Sequence, residues 1–491
     1  MRSKARDNIN KKSLKLSSTI GLIGYHSIID VRQQYWSYLM DKLLKPKVVK
    51  KISITRDILV ISMVLAFVGN FFIASYANIK PTEALIFNSN DGWCNPQTEG
   101  IGEHCFGDFA HGTLQDFKTP WTNNPQLAYP PLAISYFKLF YKLKTIFPNS
   151  ILPLVLHLAL MMIAILFPVL HLRYRKKITT RRALMIASAV VSMSPILMSI
   201  DRGNNQIFLL PLLYLFYFYS LRGQNNLCSL LIALMALWRP QMFLLVLIFI
   251  PNRQWKILLK TTVLSMALTL LSFLFFPWDK FRINVFQWLN NAQGYQNVQA
   301  IPSNFPTNWS FTNSFLTLVE TLNRIILGSP SQPLTFGGGT VQILNVFFLI
   351  AIVMNLFIRK DYNKFKNLVV ITCLPILVPG VSYGYYLSLL IVPMIYVMAF
   401  LFETNIPQKN HESHSLYIYV NEVFSQKFSS LITQLMMLFV FVPWPLSSRL
   451  LNNDYEDQAT ALSITWQFAP AIFLIWFFST LVSTISRTRN E

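Results

Sequence analysis

The reactive side chains of this 491-residue chain are densest between residues 91 and 131. Asp91, Glu99, Glu103, Asp108 and Asp116 occur there with Cys94, Cys105, His104 and His111, and the stretch ends in Tyr129-Pro130-Pro131. Asp108 sits in Phe106-Gly107-Asp108-Phe109. An acid between aromatic residues at a membrane surface is partly desolvated, which makes its carboxylate a stronger base towards a hydroxyl proton. The plainer use of such an acid is a helix cap or a solvated loop residue. Compartment and spacing predict a disulfide between Cys94 and Cys105. A metal site that adds His104 and His111 is the alternative, although the spacing matches no zinc pattern well.

Two polar interruptions lie between apolar runs, Asp201-Arg202-Gly203-Asn204-Asn205-Gln206 and Trp238-Arg239-Pro240-Gln241. A guanidinium at the membrane boundary can clamp a phosphate through two parallel hydrogen bonds, so Arg202 and Arg239 are candidate phosphate ligands. The alternatives are an Asp201–Arg202 pair closing a tight turn and a snorkelling Arg239. Further along, Lys280 and Arg282 precede Asn304-Phe305-Pro306-Thr307-Asn308-Trp309-Ser310, with Trp288 and Tyr295 nearby. Rings and amides of this kind suit a sugar, and they suit an interfacial aromatic belt equally. Asn308-Trp309-Ser310 also matches an N-glycosylation acceptor. There is no phosphate-binding Gly-rich loop ending in Gly-Lys-Ser/Thr, which leaves an ATP-driven pump unsupported. Asp454-Tyr455-Glu456-Asp457 reads as a solvated turn or, less simply, a metal site.

The elements that must position these groups are membrane helices. The chain is 53% hydrophobic and 13% charged, against roughly 25% charged in soluble domains. Apolar runs are expected at 58–77, 151–170, 183–200, 207–221, 226–237, 241–251, 258–276, 341–358, 367–380, 384–402, 431–447 and 461–484, about twelve spans in all. They lack the alternation of barrel strands. The net charge of +21 lies outside the runs, and it reads as topology rather than as nucleic-acid binding. Lys42, Lys45, Lys47, Lys50, Lys51 and Arg56 hold the start in the cytoplasm. From there, Arg173 to Arg182, Arg253 to Lys260, Arg359 to Lys366, and Arg487 with Arg489 all fall on the same side. Both termini are then cytoplasmic, and two long extracytoplasmic loops span about 78–150 and 277–340. The runs meeting at Arg239 are too short to cross singly and predict a broken pair. Residues 132–147 predict an interfacial helix with Lys138, Lys142 and Lys144 snorkelling. The expected organisation is a basic leader at 1–57, a transmembrane catalytic module at 58–402, and a final pair of spans with their linker at 403–491.

The order of a Gly-Asp in the first external loop, Tyr-Pro-Pro, Gly-Asn-Asn-Gln after the third span and Arg-Pro after the fifth resembles the GT-C superfamily, specifically glycosyltransferase family 87. The resemblance covers about residues 58–402 and implies an all-α, GT-C-like polytopic bundle in the cell membrane. It implies transfer of a sugar, mannose or arabinofuranose, from a polyprenyl-phosphate donor to an envelope glycolipid or polysaccharide. By this resemblance Asp108 is the general base, and Arg202, Arg239 and Lys280 face the donor phosphate. Tyr129, Asn204, Gln206, Asn308 and Ser310 bind substrate, and no metal or nucleotide cofactor is called for. Pro379 to Tyr386 falls where many relatives carry His but reads Ser382-Tyr383-Gly384-Tyr385-Tyr386 here, which points to a different donor contact or sugar. The alternative function is a secondary transporter or lipid flippase, which would place ionisable groups near the midplane of its spans. An assembly subunit of an envelope complex is the remaining option.

Overall fold

Apolar helices dominate the computed structural model, which describes residues 106–401 with gaps, 427–442, 463–482, and a few residues within 60–68 and 419–423. All of these belong to the unit Thr55–Glu491, and every regular element among the described residues is helical. Three helices are long and apolar enough to cross a membrane: Leu152–Tyr174, Trp255–Phe275 and Gly339–Phe357. A fourth crossing is available if Thr180–Val191 and Ser194–Ile200, bent by 65°, form one span. The remaining apolar helices, among them Asn225–Trp238 and Ala469–Leu481, run to 10–17 residues. The membrane character expected from composition is therefore present, while a count of about twelve full spans does not follow from these lengths. Ile163, Leu170, Leu259, Val263, Met266 and Phe347 expose large apolar side chains along the long helices, as a hydrocarbon solvent requires.

The breaks between helices have local causes. Pro195 stands in the first turn of Ser194–Arg202. Its ring would clash with the carbonyl of Val191 in a continuous helix, so the preceding helix stops there. Ser194–Arg202 ends at Gly203, whose φ of 61° lies in the left-handed region. The Gly203 amide bonds to Ile200 O at 3.0 Å and the Asn204 amide to Ser199 O at 2.9 Å, a paired ending that turns the chain sharply. The chain continues as a 3-10 turn, Asn205–Phe208, and then as the helix Leu209–Leu221. The predicted break at Arg239 is also seen. Helix Asn225–Trp238 stops, Arg239 is extended (φ −149°, ψ 107°), and Pro240–Phe249 winds as a ten-residue 3-10 helix.

The regions expected as long external loops are largely helical where they are described. Gly107–Thr113, Pro120–Asn123 and Pro131–Ile146 fill the first, and Phe281–Gln299 and Phe311–Leu327 fill much of the second. Pro131–Ile146 starts with proline at its first position, where the missing N–H costs nothing. It buries Ile134, Phe137 and Phe140 against Phe109, Phe117, Trp121, Phe273 and Phe276. Lys138 on this helix does not simply reach for water. Its ammonium donates to Phe275 O at 3.1 Å and lies 5.6 Å from the Phe276 ring, which caps the carbonyl end of Trp255–Phe275. These two regions are tied together by Asn291, whose Nδ2 donates to Trp121 O at 2.8 Å, and by Asn284, whose Nδ2 donates to Lys118 O at 3.2 Å.

Candidate active site

Asp108 lies in the first turn of Gly107–Thr113, seated against the turn that ends Ser194–Arg202. The seat is built from two left-handed residues in contact, Phe106 (φ 66°) and Gly203 (φ 61°). A methyl group at Gly203 would lie 2.9 Å from Phe109 Cβ and 3.4 Å from Phe106 Cα. Only glycine lets the two chain segments approach this closely. The close approach lets the side chains on either side of Gly203 reach the carboxylate. Arg202 Nε donates to Asp108 Oδ2 and Arg202 Nη2 to Oδ1, both at 3.1 Å. Asn204 Nδ2 makes a further short bond to Oδ2. The Asp201 side chain lies outside the described residues.

Asn204 links this carboxylate to the second guanidinium. Its Oδ1 caps the next turn by accepting from the Gln206 amide at 2.8 Å, and it also accepts from Arg239 Nη2 at 3.0 Å. The same nitrogen reaches Asn205 Oδ1 at 3.0 Å. Aromatic faces complete the enclosure. The Arg239 guanidinium lies 4.5 Å from the Tyr129 ring centroid and 5.6 Å from that of Tyr386. Arg202 lies 5.3 Å from the Tyr385 ring, and Tyr385 and Tyr386 stack on each other at 4.9 Å. Both guanidiniums are buried. The ring faces supply favourable electrostatics in place of the water that burial removes. Burial pushes the Tyr129 phenol up to about 12, with the Asp108 charge adding to the rise and Arg239 and Arg202 opposing it.

The predicted site residues fall into two groups. Asp108, Arg202, Asn204, Arg239 and Tyr129 converge, with Gln206 on the adjoining turn. Gln206 is fully buried, and among the described residues neither atom of its carboxamide has a hydrogen-bond partner, so it retains binding capacity at the edge of the network. Lys280 does not join them. It lies 3.5 Å from the neighbouring, exposed Asp279 carboxylate and is itself half-buried.

Asn308 and Ser310 are buried and engaged with backbone. Asn308 Nδ2 donates to Gly380 O at 3.1 Å, while its Oδ1 accepts from Ser382 N at 2.9 Å and Ser310 N at 3.1 Å. Ser310 Oγ accepts from Asn313 N at 3.4 Å at the start of Phe311–Leu327. Asn308 thus anchors the segment that leads to Tyr385 and Tyr386, and a buried carboxamide engaged in three hydrogen bonds is no glycan acceptor. Cys94 and Cys105 lie outside the described residues.

The sequence reading missed Tyr385 and Tyr386 as ring partners of the arginines. Their tandem occurrence after Pro379-Gly380 was visible, but the segment is held by Asn308, which bonds to Gly380 across 72 positions of the chain.

A partly buried carboxylate, two buried guanidiniums and spare carboxamide groups among apolar helices suit the handling of a polar substrate at a membrane. The chain belongs to glycosyltransferase family 87, whose family model matches residues 127–393, so the molecule is a membrane glycosyltransferase. The match takes in Tyr129, Arg202 to Gln206, Arg239, Lys280, Asn308 and Ser310, and begins C-terminal to Asp108. Nothing among curated proteins matches the chain.

Proposed function

We propose that this glycosyltransferase draws a sugar, mannose or arabinofuranose, from a polyprenyl-phosphate donor. It passes that sugar, with inversion, to a hydroxyl of an envelope glycolipid or polysaccharide on the extracytoplasmic side of the cell membrane, with both termini in the cytoplasm. The observation that carries this reading is the double grip of Arg202 and Asn204 on Asp108. That grip fixes the carboxylate and leaves 13% of its side chain exposed. Oδ2 receives two of the three bonds, so Oδ1 is the oxygen with room to take a proton from an acceptor hydroxyl.

As the acceptor oxygen forms its bond to the anomeric carbon, the bond from that carbon to the phosphate oxygen breaks and its electron pair leaves with the phosphate. The proton passes to Asp108. The donor phosphate then gains a negative charge, and among the described side chains the site brings two guanidiniums to one carboxylate. Arg239, whose hydrogen bonds go to neutral carboxamides, supplies the surplus positive charge that favours this leaving group. Arg202 is assigned to orienting the base, and Lys280 has no part in this arrangement. The exposed apolar helices would receive the polyprenyl chain. Family membership favours group transfer over the transporter alternative.

The test uses membranes carrying the protein or its Asp108→Asn variant, incubated with radiolabelled polyprenyl-phosphate mannose or arabinose and an envelope glycolipid extract. Label should enter new glycolipid with the wild type only. Equal transfer by both proteins removes Asp108 from the mechanism.

A further inference from the structure

We infer that His157 is a positioning residue for Asp108, holding both halves of its seat through a single imidazole. The inference rests on the assignment of Asp108 as the base. His157 stands in Leu152–Tyr174 and is fully buried. Its Nε2 lies 3.0 Å from Gly203 O and its Nδ1 2.6 Å from the Tyr136 hydroxyl. A carbonyl oxygen can only accept, so Nε2 carries the hydrogen, and Nδ1 accepts from the Tyr136 O–H. The two partners select one neutral tautomer and fix the ring plane. The imidazole also stacks on Phe109 with centroids 4.5 Å apart and an interplanar angle of 27°.

These contacts fall on the two chain segments that meet at the carboxylate. The Gly203 carbonyl lies between Arg202 and Asn204, the two residues that donate to Asp108, and Phe109 directly follows Asp108. An ordinary buried histidine would satisfy its nitrogens wherever the packing allows. This one spends its Nε2–H on the turn that presents both donors and its ring face on the residue beside the acceptor. It has no hydrogen bond to Asp108 and acts only by holding the parts in register. Tyr136 is itself wedged against Phe208 and Trp238, at 5.0 and 5.4 Å between ring centroids. The imidazole is thereby braced from the side where Arg239 begins.

The full-length protein in detergent would be assayed with whichever polyprenyl-phosphate sugar the wild type consumes, as wild type, His157→Gln, His157→Leu, Tyr136→Phe and Asp108→Asn. The Gln variant can present an N–H where Nε2–H stands, and the Leu variant cannot. Misplacing a reacting group by about an ångström costs on the order of 100-fold. His157→Leu should therefore lose on the order of 10- to 100-fold in kcat with KM little changed, and His157→Gln should recover most of that loss. A purely structural role would not separate kcat from KM in this way. Wild-type kcat in His157→Leu, or equal losses in Leu and Gln, would overturn the inference. Should His157→Leu fail to fold, Tyr136→Phe decides: a drop in kcat supports the inference, and unchanged kcat overturns it. Loss of transfer in Asp108→Asn alongside wild-type kinetics in the His157 variants would sink only this inference. Full transfer by Asp108→Asn would sink the base assignment, and the inference with it.

Discussion

Arg202 holds Asp108 through both carboxylate oxygens at 3.1 Å, although the two residues are 94 positions apart in the chain. The fork geometry of a guanidinium makes this possible, and an ammonium cannot reproduce it. Arg202→Lys keeps the charge and loses one of the two bonds, so kcat should fall by about tenfold. Arg202→Gln leaves the carboxylate without its counter-ion and should lower stability by about 3 kcal/mol. Initial rates and thermal unfolding in detergent check the pair. Wild-type rates in Arg202→Lys would mean that the carboxylate does not need to be held.

Arg239→Gln should act on the donor. The variant removes the surplus positive charge while its carboxamide can still donate towards Asn204 and Asn205. Losing one charge-assisted contact to phosphate, worth about 1.5–3 kcal/mol, lowers kcat/KM for the donor by roughly 10- to 100-fold, with a rise in KM from the ground-state phosphate and a fall in kcat from the charge that develops on it. Steady-state kinetics against donor concentration would show this. An unchanged kcat/KM would remove Arg239 from phosphate binding.

Gly203→Ala places a methyl group 2.9 Å from Phe109 Cβ at a backbone φ of 61°. Strain of about 1–3 kcal/mol is expected from the conformation alone, and the Asp108 segment must retreat to relieve it. Both the unfolding temperature and kcat should drop. Loss of stability with full activity would show that the seat tolerates movement.

Asn308→Ala should destabilise the protein by about 2–4 kcal/mol, because the buried amides of Ser310 and Ser382 lose their acceptor. Tyr385 and Tyr386 would be released from the arginines, and transfer should weaken too. Expressed in a host that glycosylates Asn-x-Ser, the wild type should keep its gel mobility after treatment with an N-glycosidase. A mobility shift traced to Asn308 would contradict its burial.

Tyr129 gives a pH dependence with a defined sign. Its phenol is raised from 10.0 to about 12 in the folded protein, so the folded state holds the proton more tightly than the unfolded chain does. The stabilisation is fully present below pH 10 and is lost as pH rises from about 10 towards about 12. Subtracting the alkaline unfolding curve of Tyr129→Phe from that of the wild type isolates this contribution. Identical curves would show that the phenol is not shifted.

Much of the site was legible because its residues are costly to place among apolar helices. Asp108, Arg202, Asn204, Arg239 and Tyr129 each stand out against their surroundings, and they converge. Lys280 stands apart from them, beside its neighbour Asp279, a local counter-ion that an interest in distant phosphate overlooks. Asn308 read as a ligand because a carboxamide beside tryptophan looks the same in sequence whether its partners are hydroxyls or backbone amides. His157 was invisible within an apolar run, where only the three-dimensional meeting of Gly203, Phe109 and Tyr136 gives it a task. The positions of apolar runs were readable from composition. Whether each crosses fully was not, since bends such as the one at Pro195 and windings such as that of Pro240–Phe249 are set by packing as well as by local sequence.

The winding of Pro240–Phe249 changes how far that short segment reaches. A 3-10 helix rises about 2.0 Å per residue where an α-helix rises about 1.5 Å. Ten residues therefore extend roughly 20 Å instead of roughly 15 Å, about two-thirds of a hydrocarbon core of roughly 30 Å. The tighter coil is the longer ruler. By stretching this segment, the chain sets Arg239 at one end and the basic residue Arg253, just past the other, farther apart than their separation in sequence would give in an α-helix.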